Sequence, residues 1–245
     1  MPLRMRSVEM FDAVVVGGGV AGLTAGLFAA RCGCSTLVLV SQIPGGQLAT
    51  IDRVEDFPGF LDGVAGYELG PTIQEQAANE GAEFRMAEAL RLEPLAAGAE
   101  SAGTENQQAE NARSSHWPRP PDAWLLATSD GDVEARTVII AVGSRPRQLG
   151  VPGEERLRGR GVSHCASCDG PLLRGKPAVV VGAGDSGLQE ALTLAGFASE
   201  VLVVYRSELP AAQEVYQQRA REHPAITLRG NTVVEIGRAS CRERV

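Results

Sequence analysis

FDAVVVGGGVAGLTAGLFAARCGCSTLVLV, residues 11–40, is the stretch that decides the fold. Phe11–Val16 reads as a strand, β-rich over Ala13–Val16, and Gly17-Gly18-Gly19-Val20-Ala21-Gly22 follows at once. A helix rich in Ala, Gly and Leu is expected to about Arg31, then a second strand over Thr36–Val40. This is a strand–helix–strand unit with G-x-G-x-x-G at its first turn, the pattern of a dinucleotide site. Gly17 permits the tight turn. Gly19 lets the backbone approach a pyrophosphate at the helix N-terminus, and Gly22 lets helix and strand pack closely. The acid expected to hold a ribose at the end of the second strand is missing, and Val40 and Ser41 stand there.

The same stretch is a membrane decoy. Between Ala13 and Val40 the only charge is Arg31, and Arg4 and Arg6 precede the run, as in a secretion signal. Glu9 and Asp12 sit just before it, however, and the glycines break it. Buried strand, helix and strand is the better reading, and the protein is expected in the cytoplasm. The 245 residues are 44% hydrophobic and 22% charged, which suits a globular chain and excludes collagen, coiled coil and wholesale disorder. A formal charge of −7 argues against nucleic acid or an anionic membrane as the main partner.

A second strand–glycine–helix unit follows at AVVVGAGDSGLQEALTLAGFASEVLVVY, residues 178–205. Its strands are expected over 178–181 and 200–205, its helix over 186–196, and its glycines are Gly182, Gly184 and Gly187. Two such units imply two dinucleotides, naturally one flavin and one nicotinamide. Between the units, Ile43–Gly59 reads as a ligand-lining loop and Tyr67–Asn79 as a helix. Residues 92–122 turn polar and Pro-rich and read as a surface insertion, with His116 and Trp117 incidental to function. Short strands are expected over 123–127, 131–134 and 137–141, closing on Val142-Gly143. The last ten residues, IGRASCRERV, match one translated frame of a widely used sequencing adapter. Native sequence is therefore expected to stop at Glu235, with the tail no part of the fold. Without its three Arg and one Glu, the net charge moves from −7 to −9.

His164-Cys165-Ala166-Ser167-Cys168-Asp169-Gly170 lies between the two glycine turns. A C-x-x-C pair can close a disulfide ring, and its thiols can be tuned to low pKa. Beside two dinucleotide sites it points to electron transfer through a dithiol. Asp169 is the candidate proton donor or acceptor, with His164 a neighbour only. A zinc site completed by Cys32 and Cys34 is the alternative. Those two cysteines read better as buried packing residues, and no metal is expected.

GGGVAGL, PGGQLATIDRVEDFPG, AVGSRPRQLGVPGEE, GRGVSHCASCDG and VGAGDSGLQEAL together resemble the low-molecular-weight thioredoxin reductases of bacteria. The resemblance runs from about Phe11 to Glu235, apart from the insertion. It implies an α/β fold of two Rossmann-type domains, an FAD domain split by an inserted NAD(P)H domain. The FAD part would span 1–146 and the NAD(P)H part 147–235, the latter incomplete. It also implies that electrons pass from NADPH or NADH through FAD to the Cys165–Cys168 pair. Cys168 would face the flavin, Cys165 would attack a thioredoxin-like disulfide, and Asp169 would handle the proton. The family alternates between two domain orientations in doing so. Flavin contacts carry over to Gly17, Gly19, Val20, Ala21, Gly22, Ser41, Gly46, Gln47, Leu48, Asp56 and Gly143. Nicotinamide-dinucleotide contacts carry over to Gly182, Gly184, Asp185, Ser186, Gly187, Glu190 and Arg206.

Three departures stand out. Of the family's basic patch for the ribose phosphate only Arg206 is present, since Tyr205, Ser207 and Ala211 fill the other places. NADH is therefore plausible beside NADPH. Asp56 replaces a usual Asn, and Val142 a usual Thr. GPLLRGKPAVVVGAGDSG also resembles the NADH-dependent flavoprotein of alkyl hydroperoxide reductase, which stays open as the alternative. A non-catalytic nucleotide-binding module is a third reading, against which Cys165, Cys168 and Asp169 argue. The resemblance further implies a homodimer for the whole protein. It makes this chain a fragment lacking the return to the FAD domain, expected to bind FAD weakly and to be inactive alone.

Overall fold

A computed structural model describes residues 8–95 and 122–235. The chain divides into two compact units, Met1–Gly143 and Ser144–Val245. The first holds β1 (Glu9–Val16), α1 (Val20–Arg31), β2 (Thr36–Val40), a 3-10 turn (Gly46–Thr50), α2 (Gly66–Asn79), β3 (Glu83–Met86), β4 (Ala89–Leu95), β5 (Ala123–Thr128) and β6 (Val133–Ile140). The second holds α3 (Glu154–Leu157), α4 (Ala166–Asp169), a 3-10 turn (Gly170–Leu173), β7 (Pro177–Val181), α5 (Asp185–Ala195), β8 (Glu200–Val204), α6 (Glu214–Glu222) and β9 (Ile226–Arg229).

In the first unit the sheet order is β3-β2-β1-β6-β5-β4. The strands from β3 to β6 run parallel, with Ala13 opposite both Thr36 and Thr137. A parallel strand covered on both faces must be apolar throughout, and Val14, Val15, Val38 and Leu39 are all at most 1% exposed. Leu23 of α1 buries completely against Leu69 and Ile73 of α2. In the second unit β7, β8 and β9 form a parallel sheet in that order. Leu188 and Ala191 of α5 meet Val201 and Val203 of β8 and Tyr216 and Ala220 of α6 in one core. Among the described residues the outer edge of β7 is unpaired, and Val179 and Val181 there are exposed. No helix among the described residues is long and apolar enough to cross a membrane, and the decoy stretch folds as β1, α1 and β2.

Several expectations are corrected. Leu92–Leu95, placed in the surface insertion, belong to β4, which pairs antiparallel with β5 and sets Pro94 opposite Trp124. The segment is polar in sequence because it is an edge strand, where most side chains face water and a proline is tolerated. The rest of the insertion, with His116 and Trp117, and the tail 236–245 lie outside the described residues. The strands expected over 131–134 and 137–141 are one continuous strand, β6, since Ala135 between them pairs with Phe11 of β1 and Trp124 of β5. The loop over 43–59 contains a 3-10 turn. Cys32 is exposed and Cys34 half-buried, not packed inside. They follow the last turn of α1, where Gly33 takes a left-handed conformation and carries the chain out to the surface.

Candidate active site

Each glycine turn is shaped by where a side chain cannot go. In the first unit Gly17 has φ +118°, and a Cβ there would lie 2.2 Å from the Ala141 carbonyl oxygen. A Cβ on Gly22 would lie 1.9 Å from the Gly17 carbonyl oxygen. These two positions lock β1, α1 and the end of β6 together. Gly19 is different: it caps α1 with extended backbone, and nothing lies within 4 Å of an added Cβ. No side chain caps α1, and its first turn has no acid, so the turn presents backbone amides to an anion. The second unit repeats the arrangement. A Cβ on Gly187 would lie 2.1 Å from the Gly182 carbonyl oxygen, whereas Gly184, the cap of α5, faces open space. Closed where helix meets strand and open at the cap, both turns fit a dinucleotide pyrophosphate.

The carried-over positions distribute unevenly around these turns. Val20 and Ala21 open α1. Gly45 bonds its amide to the Gly18 carbonyl at 2.8 Å, and Gly46 lies close against Gly19. That sets the 43–50 segment beside the first cradle. Gln47 lies on the 3-10 turn there, and Leu48 packs on the Leu23 cluster. Gly143 follows β6 with φ +68° and open space, two residues past the Ala141 that faces Gly17. Ser41 is exposed at the end of β2. Asp56 lines a separate shallow depression over 55–61, where the rings of Phe57 and Phe60 lie 6.1 Å apart. In the second unit Ser186 and Gly187 open α5, but the Asp185 carboxylate is engaged elsewhere. It accepts the Gln213 backbone amide at 2.6 Å and its side-chain amide at 3.2 Å. Arg206 follows β8 and is exposed.

Cys165 and Cys168 form a disulfide across α4, with Cα atoms 5.3 Å apart. Cys165 caps this single turn in extended conformation, and its Sγ accepts the Cys168 amide at 3.2 Å. Ser163 Oγ accepts the Cys165 amide at 3.1 Å. Cys165 is half-buried, Cys168 exposed and Asp169 half-buried, its amide on the Cys165 carbonyl at 3.2 Å. Behind the turn, a Cβ on Gly170 would lie 2.8 Å from the Phe197 ring. Glu190 reaches this turn from α5: its Oε2 accepts the Ala166 amide.

One buried acid escaped the sequence reading. Glu154, 6% exposed, accepts the amides of Leu149 at 3.0 Å and Gly150 at 2.7 Å. The Leu149 bond, joined by those from Gly150 and Val151 and by the His164 charge, holds its carboxyl below the usual range despite burial. The hint was an acid directly after Gly153 at a helix start. No group of three or more metal-ligating side chains occurs among the described residues.

A family profile described as pyridine nucleotide-disulphide oxidoreductase matches residues 11–242. The thioredoxin reductase of Bacillus subtilis is 36% identical over 233 residues, covering 95% of this chain and 66% of its own. That of Treponema pallidum is 32% identical over 232 residues, covering 95% and 67%. The crystal structure of Lactococcus lactis thioredoxin reductase superposes with TM-score 0.79 at 31% identity, covering 94% of this chain and 67% of that one. The chain thus spans about two thirds of the length of the relatives it matches. Two glycine cradles with a C-x-x-C disulfide between them in sequence, and these similarities along nearly its whole length, make the chain a member of the pyridine nucleotide-disulphide oxidoreductases, in the low-molecular-weight thioredoxin reductase family.

Proposed function

We propose that the protein is an FAD-dependent disulfide reductase that passes electrons from NADPH or NADH to a thioredoxin-like disulfide through Cys165 and Cys168. The observation that carries this is the disulfide itself, held on a turn packed against the helix of the second glycine cradle. Held at these two turns, a nicotinamide dinucleotide would supply a hydride and a flavin dinucleotide would relay the electron pair. The chain's own contribution starts with the Gly19 and Gly184 caps, whose open backbone receives the two pyrophosphates. Arg206 is the cation placed at the end of β8 for a ribose phosphate, with Tyr205 and Ser207 on either side. One arginine makes a weak phosphate clamp, which favours NADH use beside NADPH.

Two electrons and two protons open the Cys165–Cys168 bond, and Asp169, one residue on, is placed to take or give a proton. The Cys165 thiolate then attacks one sulfur of the partner disulfide, whose other sulfur leaves as thiolate. Cys168 attacks the mixed disulfide, releases the reduced partner and restores the pair. A homodimeric, cytoplasmic whole protein is part of the same proposal. It is supported by the family resemblance and, against a spanning helix, by the fold of residues 13–40.

The half-reaction tests this without any cofactor. The chain is reduced with dithiothreitol, desalted and mixed anaerobically with oxidised thioredoxin. The expected result is one thioredoxin dithiol formed per chain and Cys165–Cys168 returned to the disulfide. No transfer, or transfer that leaves that pair reduced, would overturn the proposal.

A further inference from the structure

The redox turn has an anchor outside its own segment. α4 is a single turn, too short to hold itself by internal bonds. Its Cys168 amide goes to Cys165 Sγ, and its Asp169 amide to the Cys165 carbonyl. The Ala166 amide, next along the chain from the Cys165 carbonyl, goes to the carboxylate of Glu190, 24 residues on. Ala166 is 6% exposed and Glu190 half-buried, so this charge is only partly screened. Glu190 also sits on α5, whose first turn is the second glycine cradle.

We propose that Glu190 is a positioning residue for the dithiol and sets the acidity of Cys165. A cysteine at a helix N-terminus is normally acidified by the amides beside it. Here the Glu190 carboxylate takes one of those amides and places a negative charge on the turn. Both effects disfavour the Cys165 thiolate. A less acidic thiol leaves the reduced pair less stabilised, so the dithiol donates electrons more readily. The other charged groups of the turn are His164 and Asp169 on its own segment. Arg174 follows the 3-10 turn, and Lys176 donates from Nζ to the Leu172 carbonyl at 3.3 Å. From α5, Asp185 is held by Gln213, which leaves Glu190 as the acid that α5 brings to the turn.

The inference rests on the reading of Cys165–Cys168 as a redox pair, and the test separates the two. The 245-residue chain is reduced, and the alkylation rate of Cys165 by iodoacetamide is followed against pH at peptide level by mass spectrometry. Glu190→Gln keeps an acceptor for Ala166 but removes the charge. Its Cys165 pKa should fall by on the order of one pH unit. At a pH above both pKa values, the equilibrium disulfide + 2 glutathione ⇌ dithiol + glutathione disulfide should move up to about tenfold towards dithiol, or about 30 mV. Glu190→Asp keeps the charge but shortens the reach. It should lower the Cys165 pKa by clearly less than Glu190→Gln does, while the Ala166 amide exchanges hydrogen faster. This second variant carries the test should the Gln form lose its circular-dichroism spectrum.

An unchanged pKa in Glu190→Gln, or equal shifts in both variants, would overturn the proposal. So would an Asp variant with an unchanged Ala166 amide. If the wild-type pair itself does not cycle in glutathione buffer, it is the redox reading that fails.

Discussion

Gly22 and Gly19 are three residues apart in one turn, yet alanine should do opposite things at each. A Cβ on Gly22 would lie 1.9 Å from the Gly17 carbonyl oxygen and 3.3 Å from the Ala141 side chain. Backbone at the end of a strand cannot rotate away, so α1 must lift by about 1.5 Å to reach an ordinary contact of 3.4 Å. Overpacking of this kind costs about 1–3 kcal/mol, and the rigid neighbour puts Gly22 at the upper end. Alanine returns about 0.5–1 kcal/mol through its helix propensity. The net loss is about 2 kcal/mol, or roughly 4–8 °C in Tm at about 2–4 °C per kcal/mol for a chain of this size.

A Cβ on Gly19 would meet nothing within 4 Å, and its φ of −73° suits alanine. Gly19→Ala should therefore unfold within about 1 kcal/mol of wild type. It should instead lose FAD affinity at least about tenfold, since the methyl occupies the space a pyrophosphate must approach. Urea unfolding of the cofactor-free chain and FAD fluorescence titration read the two effects separately. A Gly22→Ala variant as stable as wild type would refute the packing argument. A Gly19→Ala variant with unchanged FAD affinity would refute the cradle.

Other consequences are simpler. Leu188 is fully buried between β8 and α6, so Leu188→Ala should cost about 2–5 kcal/mol in urea unfolding of the second unit. Glu154 has a folded pKa below its ordinary 4.5, so its contribution is complete above that value and disappears as pH falls through the lower folded one. Wild type should accordingly exceed Glu154→Gln in urea midpoint at pH 7, and this advantage should shrink as pH falls below 4.5 and the carboxyl protonates. Arg206→Ala should weaken NADPH more than NADH in equilibrium dialysis, because only the former carries the ribose phosphate.

Local chemistry made both glycine turns legible. The apolar runs before Gly17 and Gly182, and the glycine spacing after each, allow few other structures. The C-x-x-C pair was legible for the same reason, since its ring closes within four residues. What escaped depends on contacts distant in sequence. β4 looks like loop because an edge strand with one solvated face needs no apolar alternation, and only its pairing with β5 reveals it. Glu190 sits where a cofactor-helix residue is expected, and its bond to Ala166 follows from packing between α4 and α5. Glu154 bonds to amides whose positions no propensity predicts. Cys32 and Cys34 were misplaced inside because cysteine is commonly buried, whereas Gly33 turns this pair outward.

The most direct measurement of the central claim uses thioredoxin with one active-site cysteine, activated as its thionitrobenzoate mixed disulfide. Cys168→Ser and Cys165→Ser forms of the chain are mixed with it, and the products are mapped by mass spectrometry. The account predicts a stable adduct through Cys165 in the Cys168→Ser form, with one thionitrobenzoate released. In the Cys165→Ser form it predicts a much slower reaction at position 168. Equal rates in the two variants, or adducts confined to Cys32 and Cys34, would contradict it.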